Sequence, residues 1–314
     1  MNVRLLILGL LLIFICKALR LEAQQELRLS HGQLADMLRN PAIIGEKSSL
    51  SAFVLHRRQW MDLAGAPVTT FIGGAYQLKS EFGGALGLQL VDDRIGEVTM
   101  QNLKFNYSKE FRFGVAALRV GVGVNVAFLK ERTDMWRTSD VVPDQALVNN
   151  QPSANFIDGQ FGLTYQRNDL RVGGAVTRLR ELSLNDLYWV NRRSYNGFLS
   201  YRIQWGEKIA YNTVPSVRLR YDAISNPQLE GRFDTDVNNK YLLQLGYRHN
   251  ESILAGAGLI LPVGGGKMTL SYVFDYSLNA LAEFQSGSHE MMISFNLDRV
   301  EVKEKKEIKN VRFL

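Results

Sequence analysis

The sequence predicts an all-β chain folded as a single transmembrane antiparallel β-barrel of about fourteen strands, with both termini on the periplasmic side. Three observations carry this. From Gln228 to Val237 one register holds Leu229, Gly231, Phe233, Thr235 and Val237, and the other holds Gln228, Glu230, Arg232, Asp234 and Asp236. That is the period-two pattern of a strand, with full charges on a face that suits a wet lumen and apolar groups on a face that suits lipid. Second, Asn238-Asn239 tolerates left-handed backbone and leads into Tyr241, Leu243, Leu245 and Tyr247, which alternate with Leu242, Gln244, Gly246 and Arg248. Pro227 to Arg248 therefore reads as one complete hairpin. Third, mean hydropathy is near neutral, and after the opening segment no apolar run approaches the roughly 20 residues of a helical span. Barrel strands escape that test because each lipid-facing residue is diluted by a lumen residue.

The chain opens with Arg4, an apolar stretch from Leu5 to Ile15 and a processing region ending at Leu21-Glu22-Ala23. This reads as a signal peptide over residues 1–23, cleaved before Gln24; an anchoring helix fits less well because the run is short and Lys17 and Arg20 follow it closely. The single cysteine, Cys16, falls inside that segment, so disulfides and thiol chemistry are not expected of the mature chain. Residues 24–47 read as a periplasmic lead-in or a segment tucked into the barrel mouth, with Asn40-Pro41-Ala42 excluding regular helix at that point. The barrel is assigned to residues 48–298 and a charged periplasmic tail to 299–314, where Glu and Lys mix closely enough for helix-supporting pairs.

The strands follow in order. Ser48 to Trp60 is the first, and Gly65-Ala66-Pro67 turns the chain into Val68 to Leu78. Leu86, Leu88 and Leu90 share a register in the third, which is expected to end in a loop Asp92-Asp93-Arg94-Ile95-Gly96; Met100 to Tyr107 is the fourth. Val120, Val122, Val124, Val126 and Phe128 form the outward stripe of the fifth, against Arg119, Gly121, Gly123, Asn125 and Ala127. Lys130 to Asn155 is the longest loop, and long loops face outside in such barrels. Phe161 to Gln166, Leu170 to Arg178 and Leu199 to Trp205 come next, with a second polar loop from Leu179 to Arg192. Val217 to Asp222, the hairpin above, Ile253 to Leu261, Met268 to Tyr276 and Ser288 to Leu297 complete the count, with Gly264-Gly265-Gly266 as a tight turn.

No catalytic constellation stands out. His31, His56, His249 and His289 are scattered without metal-ligand spacing and read as surface or loop residues. Gly121 and Gly123 sit within an alternating strand, so small lumen-facing residues explain them better than a nucleotide loop. Asp92, Asp93 and Glu97 lack a calcium-loop pattern. Neither metal nor cofactor is expected. The candidate binding groups are the lumen arginines Arg119, Arg202, Arg218, Arg220, Arg232 and Arg248, set against Glu230, Asp234 and Asp236. Charges in a barrel interior commonly pair into a plug; surplus arginines would instead hold a carboxylate or an acidic segment of another protein.

Several motifs together carry a resemblance. Asn40-Pro41-Ala42 with Gly45, then Arg58-Gln59-Trp60 with Gly65-Ala66-Pro67-Val68-Thr69, then Gly87-Leu88 leading to Asp93-Arg94-Ile95-Gly96, and finally Tyr247-Arg248 and Gly287-Ser288-His289-Glu290 occur in this order and spacing. The chain resembles the PorP/SprF family of Bacteroidota outer-membrane proteins from about Asn40 to Leu297. The resemblance implies an outer-membrane component of the type IX secretion system, which exports proteins bearing a C-terminal sorting domain, including the adhesins of gliding motility. Implied partners are outer-membrane lipids, such a secreted protein and periplasmic secretion components, with no nucleic acid. The tail departs from the simplest pattern, so that Phe295 or Phe313 has to stand in for a terminal aromatic assembly signal. The rival readings are a passive porin or FadL-like small-solute transporter, and a lipid-modifying enzyme, which needs a serine–histidine pair at the membrane face.

Overall fold

The computed structural model describes residues 27–46, 48–78, 83–131, 153–184, 189–222 and 227–298. The barrel strands are β1 (Ser48–Arg58), β2 (Val68–Gln77), β3 (Ala85–Ile95), β4 (Val98–Phe113), β5 (Ala116–Glu131), β6 (Ser153–Arg167) and β7 (Leu170–Thr177). A small hairpin of β8 (Leu182–Leu184) and β9 (Trp189–Asn191) follows. Then come β10 (Ser194–Tyr201), β11 (Ile203–Trp205), β12 (Tyr211–Asp222), β13 (Gln228–Val237), β14 (Tyr241–Arg248), β15 (Ser252–Val263), β16 (Gly266–Ser277) and β17 (Ser288–Asp298). Counting β10 with β11 as one interrupted strand, this is a closed barrel of 14 antiparallel strands. Closure comes from β1 pairing with β17, from Ser48 opposite Asp298 to Arg58 opposite His289, with a register shift at Ser49. No helix among the described residues is long and apolar enough to cross a membrane.

Alternation sorts the side chains as lipid and lumen demand. Leu229 and Phe233 on β13, and Leu243, Leu245 and Tyr247 on β14, are exposed on the outside, while Arg232, Gln244 and Arg248 are buried within. Aromatic residues ring both ends of the outer surface, with Tyr76, Tyr165, Tyr201, Trp205 and Tyr241 at one and Tyr195, Tyr221, Tyr247 and Tyr276 at the other. These amphipathic rings sit at the level of lipid headgroups.

The two rims differ. One carries the short turns at Gly114-Val115, Asn168-Asp169, Asn238-Asn239 and Gly264-Gly265, and both the start of β1 and the end of β17. The other carries the connections 59–67, 132–152, 178–193 and 278–287. In the three-residue connection Asn238-Asn239-Lys240 between β13 and β14, Asn238 and Asn239 both adopt positive φ, at 55° and 52°, which asparagine tolerates well.

The structure corrects several boundaries. β3 runs through Asp92, Asp93 and Arg94 to Ile95, with Asp92 opposite Thr70 and Gln101, so this segment is strand and not loop; the turn is reduced to Gly96-Glu97. β4 and β5 extend well beyond the expected limits, and the loop expected from Lys130 has its ends inside β5 and β6; its middle, 132–152, lies outside the described residues. The expected strand from Leu199 to Trp205 breaks at Arg202. There the neighbouring β7 has already ended at Leu170, opposite Tyr201, and the Arg202 N–H donates to Asp169 O of the adjacent turn at 3.0 Å. Beyond it β11 pairs with β12 alone. The expected signal segment and tail lie outside the described residues.

Residues 27–46 pack inside the barrel. Helix α1 (Gly32–Arg39) is built from good helix formers, with Leu34, Ala35, Met37 and Leu38 buried. It stops at Asn40 because the residue before a proline is driven to extended backbone, here φ −126° and ψ 106°. Pro41 then opens a 3-10 turn, Pro41–Ile43. The apolar side of this segment meets Phe53, Leu55, Phe71, Ala75, Ala85, Val91 and Phe198 from the wall. The inward register of β1 to β3 is therefore largely apolar, which a water-filled lumen would not allow.

The segment runs the length of the lumen. Leu29 to His31 contact Arg57, Arg248, Asp275 and Glu290 near the loop-bearing rim, and Ile44 and Glu46 contact Ser108, Arg119 and Arg171 near the rim where β1 begins. The described chain thus starts at one end of the lumen and finishes, at Asp298, at the other. The expected sharing of the periplasmic side by both termini falls on residues outside the described ones.

Candidate functional site

The lumen is where the chain gathers its buried charge. Arg248, at the end of β14, donates to Asp275 Oδ2 at 2.9 Å, to Glu230 Oε2 at 2.8 Å and to Leu29 O at 2.7 Å. Arg57 on β1 reaches Asp275 at 3.0 Å, Glu290 at 3.2 Å and Ser30 Oγ at 2.6 Å. Arg232 on β13 donates to Asp234 at 3.1 Å and to the carbonyl of Ser30. Arg218 on β12 forms a two-pronged pair with Asp36 of α1, at 2.8 and 3.0 Å. Such forked pairs match guanidinium to carboxylate geometry, and each buried charge here has an opposite one beside it.

Glu290 is the hinge of the arrangement and is fully buried. Its carboxylate accepts the backbone N–H of Ser30 at 2.7 Å and of His31 at 2.6 Å, and the His31 Nδ1 at 2.6 Å. The other imidazole nitrogen lies 2.8 Å from Ser271 Oγ. His31 is thus no surface or loop histidine: its ring is committed to the wall, which is why it gives α1 no side-chain cap. Ser271, His31 and Glu290 form a serine–histidine–carboxylate chain, but it faces the lumen and not the membrane. Its histidine belongs to the very segment it anchors, and the Glu290 carboxylate is shared with two peptide N–H groups and Arg57.

Toward the other rim the wall serves the backbone of the plug. Gln89 Nε2 and Lys104 Nζ donate to Met37 O and Leu38 O at 3.2 and 3.0 Å, satisfying carbonyls that the end of α1 leaves open and placing a cation at the negative end of its dipole. Asn40 Oδ1 accepts Ala42 N at 2.9 Å while its Nδ2 donates to Leu163 O and Gly174 O at 3.2 and 3.3 Å. Arg119 donates to the carbonyls of Ile44 and Glu46 and pairs with Glu110, and Arg171 clasps Glu46. The glycines singled out above have their reason here: a Cβ at Gly121 would collide with the backbone of Pro41 and Ala42, and one at Gly123 with Asn106 and Gln160.

Of the six candidate arginines, the structure brings Arg218, Arg232 and Arg248 into one cluster. Arg119 lies at the far end of the plug, and Arg220 is buried beside the cluster among Arg28, Gln228 and Glu230. Arg202 stands apart at the break between β10 and β11 and is half-exposed. Asp236 serves its turn, accepting Asn239 N at 2.7 Å. Asp92 and Asp93 occupy successive strand positions and point to opposite faces; Thr69 Oγ1 donates to Asp93 at 2.6 Å.

Most of the family motif residues fall into two groups. Asn40, Pro41 and Glu290 hold the plug. Gln59, Trp60, Gly65, Ala66, Pro67, Ile95, Gly96, Gly287 and Ser288 build the loop-bearing rim beside β1. Gln59 N donates to Pro67 O, Gly96 N to Gly65 O and Trp60 N to Ser288 Oγ, at 2.9, 2.9 and 3.1 Å. Arg58 is exposed on the outer face, where His289 also lies, 2.6 Å from Tyr272 Oη. Arg57, Asp36, His31, Asp275 and Arg171 were not among the candidates. Arg57 shares a register with Phe53 and Leu55, so its face of β1 shows no run of charges like that of β13.

Comparison with protein families decides the identity. The match is to the family described as "Type IX secretion system membrane protein PorP/SprF", over residues 21–295. The chain belongs to the PorP/SprF family. As a PorP/SprF protein it is an outer-membrane β-barrel component of type IX secretion. Among solved structures it is similar to the CymD monoaromatic hydrocarbon channel, with TM-score 0.50 and 10% identity, over 84% of this chain and 92% of that one. It is also similar to the toluene transporter TodX of P. putida, with TM-score 0.46 and 10% identity over 84% and 94%. A third is the outer membrane protein Omp33 of Acinetobacter baumannii, with TM-score 0.43 and 8% identity over 81% and 100%. At such identities the likeness to CymD speaks of the barrel alone. A comparison with curated proteins found no match.

Proposed function

We propose that this PorP/SprF barrel is a closed, non-enzymatic binding partner in type IX secretion. Its loop-bearing rim faces the cell exterior and engages a secreted protein with a C-terminal sorting domain, of the adhesin type used in gliding, while the opposite rim and the tail face periplasmic secretion components. The observation that carries this reading is the filled lumen. Residues 27–46 occupy it, and the spaces left beside them are small, about 180, 40 and 80 Å³. A passive porin needs a continuous aqueous path, and a lumen whose charges pair with each other and with a plug does not supply one.

The test is affinity purification of tagged protein from outer membranes in mild detergent, with mass spectrometry of co-purifying proteins, beside conductance of the purified barrel in a planar bilayer. Co-purification of a large sorting-domain protein or of periplasmic secretion components, with no steady conductance, is the expected result. A barrel recovered alone that conducts steadily overturns the proposal in favour of a porin or a FadL-like transporter.

A further inference from the structure

The contacts around Leu29 to His31 have an unusual character: half of the hydrogen bonds from the wall go to backbone. Glu290 accepts two successive peptide N–H groups, from Ser30 and His31. Arg248 donates to the carbonyl of Leu29 and Arg232 to that of Ser30. A carboxylate for two N–H groups and two guanidinium groups for two carbonyls grip a bent, non-helical peptide through groups that every residue other than proline possesses. Side-chain selectivity is confined to a hydroxyl, held by Arg57 and Asp275, and an imidazole, held by Glu290 and Ser271.

The grip is also complete without its occupant. The wall closes through β1 and β17 with no contribution from residues 27–46. Its charges compensate one another within the wall: Arg57 with Asp275 and Glu290, Arg248 with Asp275 and Glu230, Arg232 with Asp234. Withdrawal of the segment leaves no one of these stranded, and the general penalty for an uncompensated buried charge does not oppose it. The grip lies at the loop-bearing end of the lumen.

From this we infer that the loop-side half of the lumen is a binding site for a short non-helical peptide, occupied in this structure by the chain's own Leu29 to His31. Its ligand class is an unmodified, non-helical polypeptide segment with a hydroxyl residue followed by histidine, read through its backbone and through these two side chains alike. The inference does not depend on which secretion partner the barrel serves.

The test uses the full mature chain in detergent and a fluorescein-labelled peptide with the sequence of residues 27–46, against a scramble of the same composition, read by fluorescence anisotropy. The informative variant is His31→Ala with Asp36→Asn, which loosens the resident segment while leaving every wall residue in place. The expected result is that the variant binds the ordered peptide at least tenfold more tightly than the unaltered chain does, and at least tenfold more tightly than it binds the scramble. Adding Glu290→Gln to the variant should remove that preference. Heat-dependent mobility on gels checks that each barrel is closed. Equal binding of ordered and scrambled peptide, or no binding by a closed variant barrel, overturns the inference. So does failure of the His31→Ala, Asp36→Asn chain to close, because the segment would then be part of the folding core and not the ligand of a finished site.

Discussion

Arg57 and Arg58 are neighbours in sequence with opposite surroundings, and the difference is a matter of one strand step. Arg57 turns into the lumen, 2% exposed, and bridges Asp275, Glu290 and Ser30; Arg58 turns outward and is exposed. Glu290, its main partner, has no access to water. Replacing Glu290 with alanine would leave the Arg57 guanidinium, two peptide N–H groups and an imidazole short of an acceptor, a loss of roughly 3–5 kcal/mol where one member of a buried pair is removed. Arg58→Ala, on the outer face, should lie within about 0.5 kcal/mol of the unaltered protein. Urea titration of the barrel refolded in lipid vesicles measures both. Similar midpoints for the two variants would show that the luminal charges contribute little to stability.

The hairpin of β13 and β14 was read correctly to the residue because all its information is local: period two on both arms and a turn whose two asparagines can take positive φ. The same locality makes it vulnerable at one point. Valine at Asn238 would put a β-branched side chain at φ 55°, where an ordinary L-residue is strained by about 1–2 kcal/mol, while glycine at the same place relieves strain. Asn238→Val should therefore slow assembly into vesicles severalfold and Asn238→Gly should not, as followed by the appearance of the heat-modifiable form on gels. Equal rates would mean that the turn forms after the step that limits assembly. Other elements were read less well for a reason of the same kind. β3 was ended too early because Asp92 and Asp93 look like loop, and only their pairing with β2 and β4 makes them strand. The break at Arg202 depends on where β7 stops, which β10 itself does not encode. The path of residues 27–46 was beyond reach, since its anchors come from β1, β3 to β7, β12 to β14, β16 and β17, and no period in the segment announces them. The motif Asn40-Pro41 and Glu290 did mark both ends of that anchorage, but only as a resemblance, without the contact that explains it.

In the whole molecule, the strand count and the two unequal rims make a statement about orientation that the membrane will test. The connections of more than ten residues lie at one rim, which also has short turns such as Gly96-Glu97, while the other rim carries short turns at Gly114-Val115, Asn168-Asp169 and Gly264-Gly265. Outer-membrane barrels keep short turns on the periplasmic side, so the 59–67 connection should be reachable from outside the cell and the Gly114-Val115 turn should not. Cysteine background is low, because Cys16 is the sole cysteine of the sequence and lies in the stretch read as a cleaved signal. Single substitutions Ala64→Cys and Val115→Cys place a thiol at each rim, at positions that are both exposed and lie off the buried ladder and the plug contacts. A membrane-impermeant maleimide applied to intact cells should label Ala64→Cys, whereas Val115→Cys should label only after the outer membrane is opened. The reverse pattern would invert the barrel. It would carry Leu29 to His31 to the periplasmic end and turn the peptide grip toward the interior of the cell envelope, where a different partner would have to meet it.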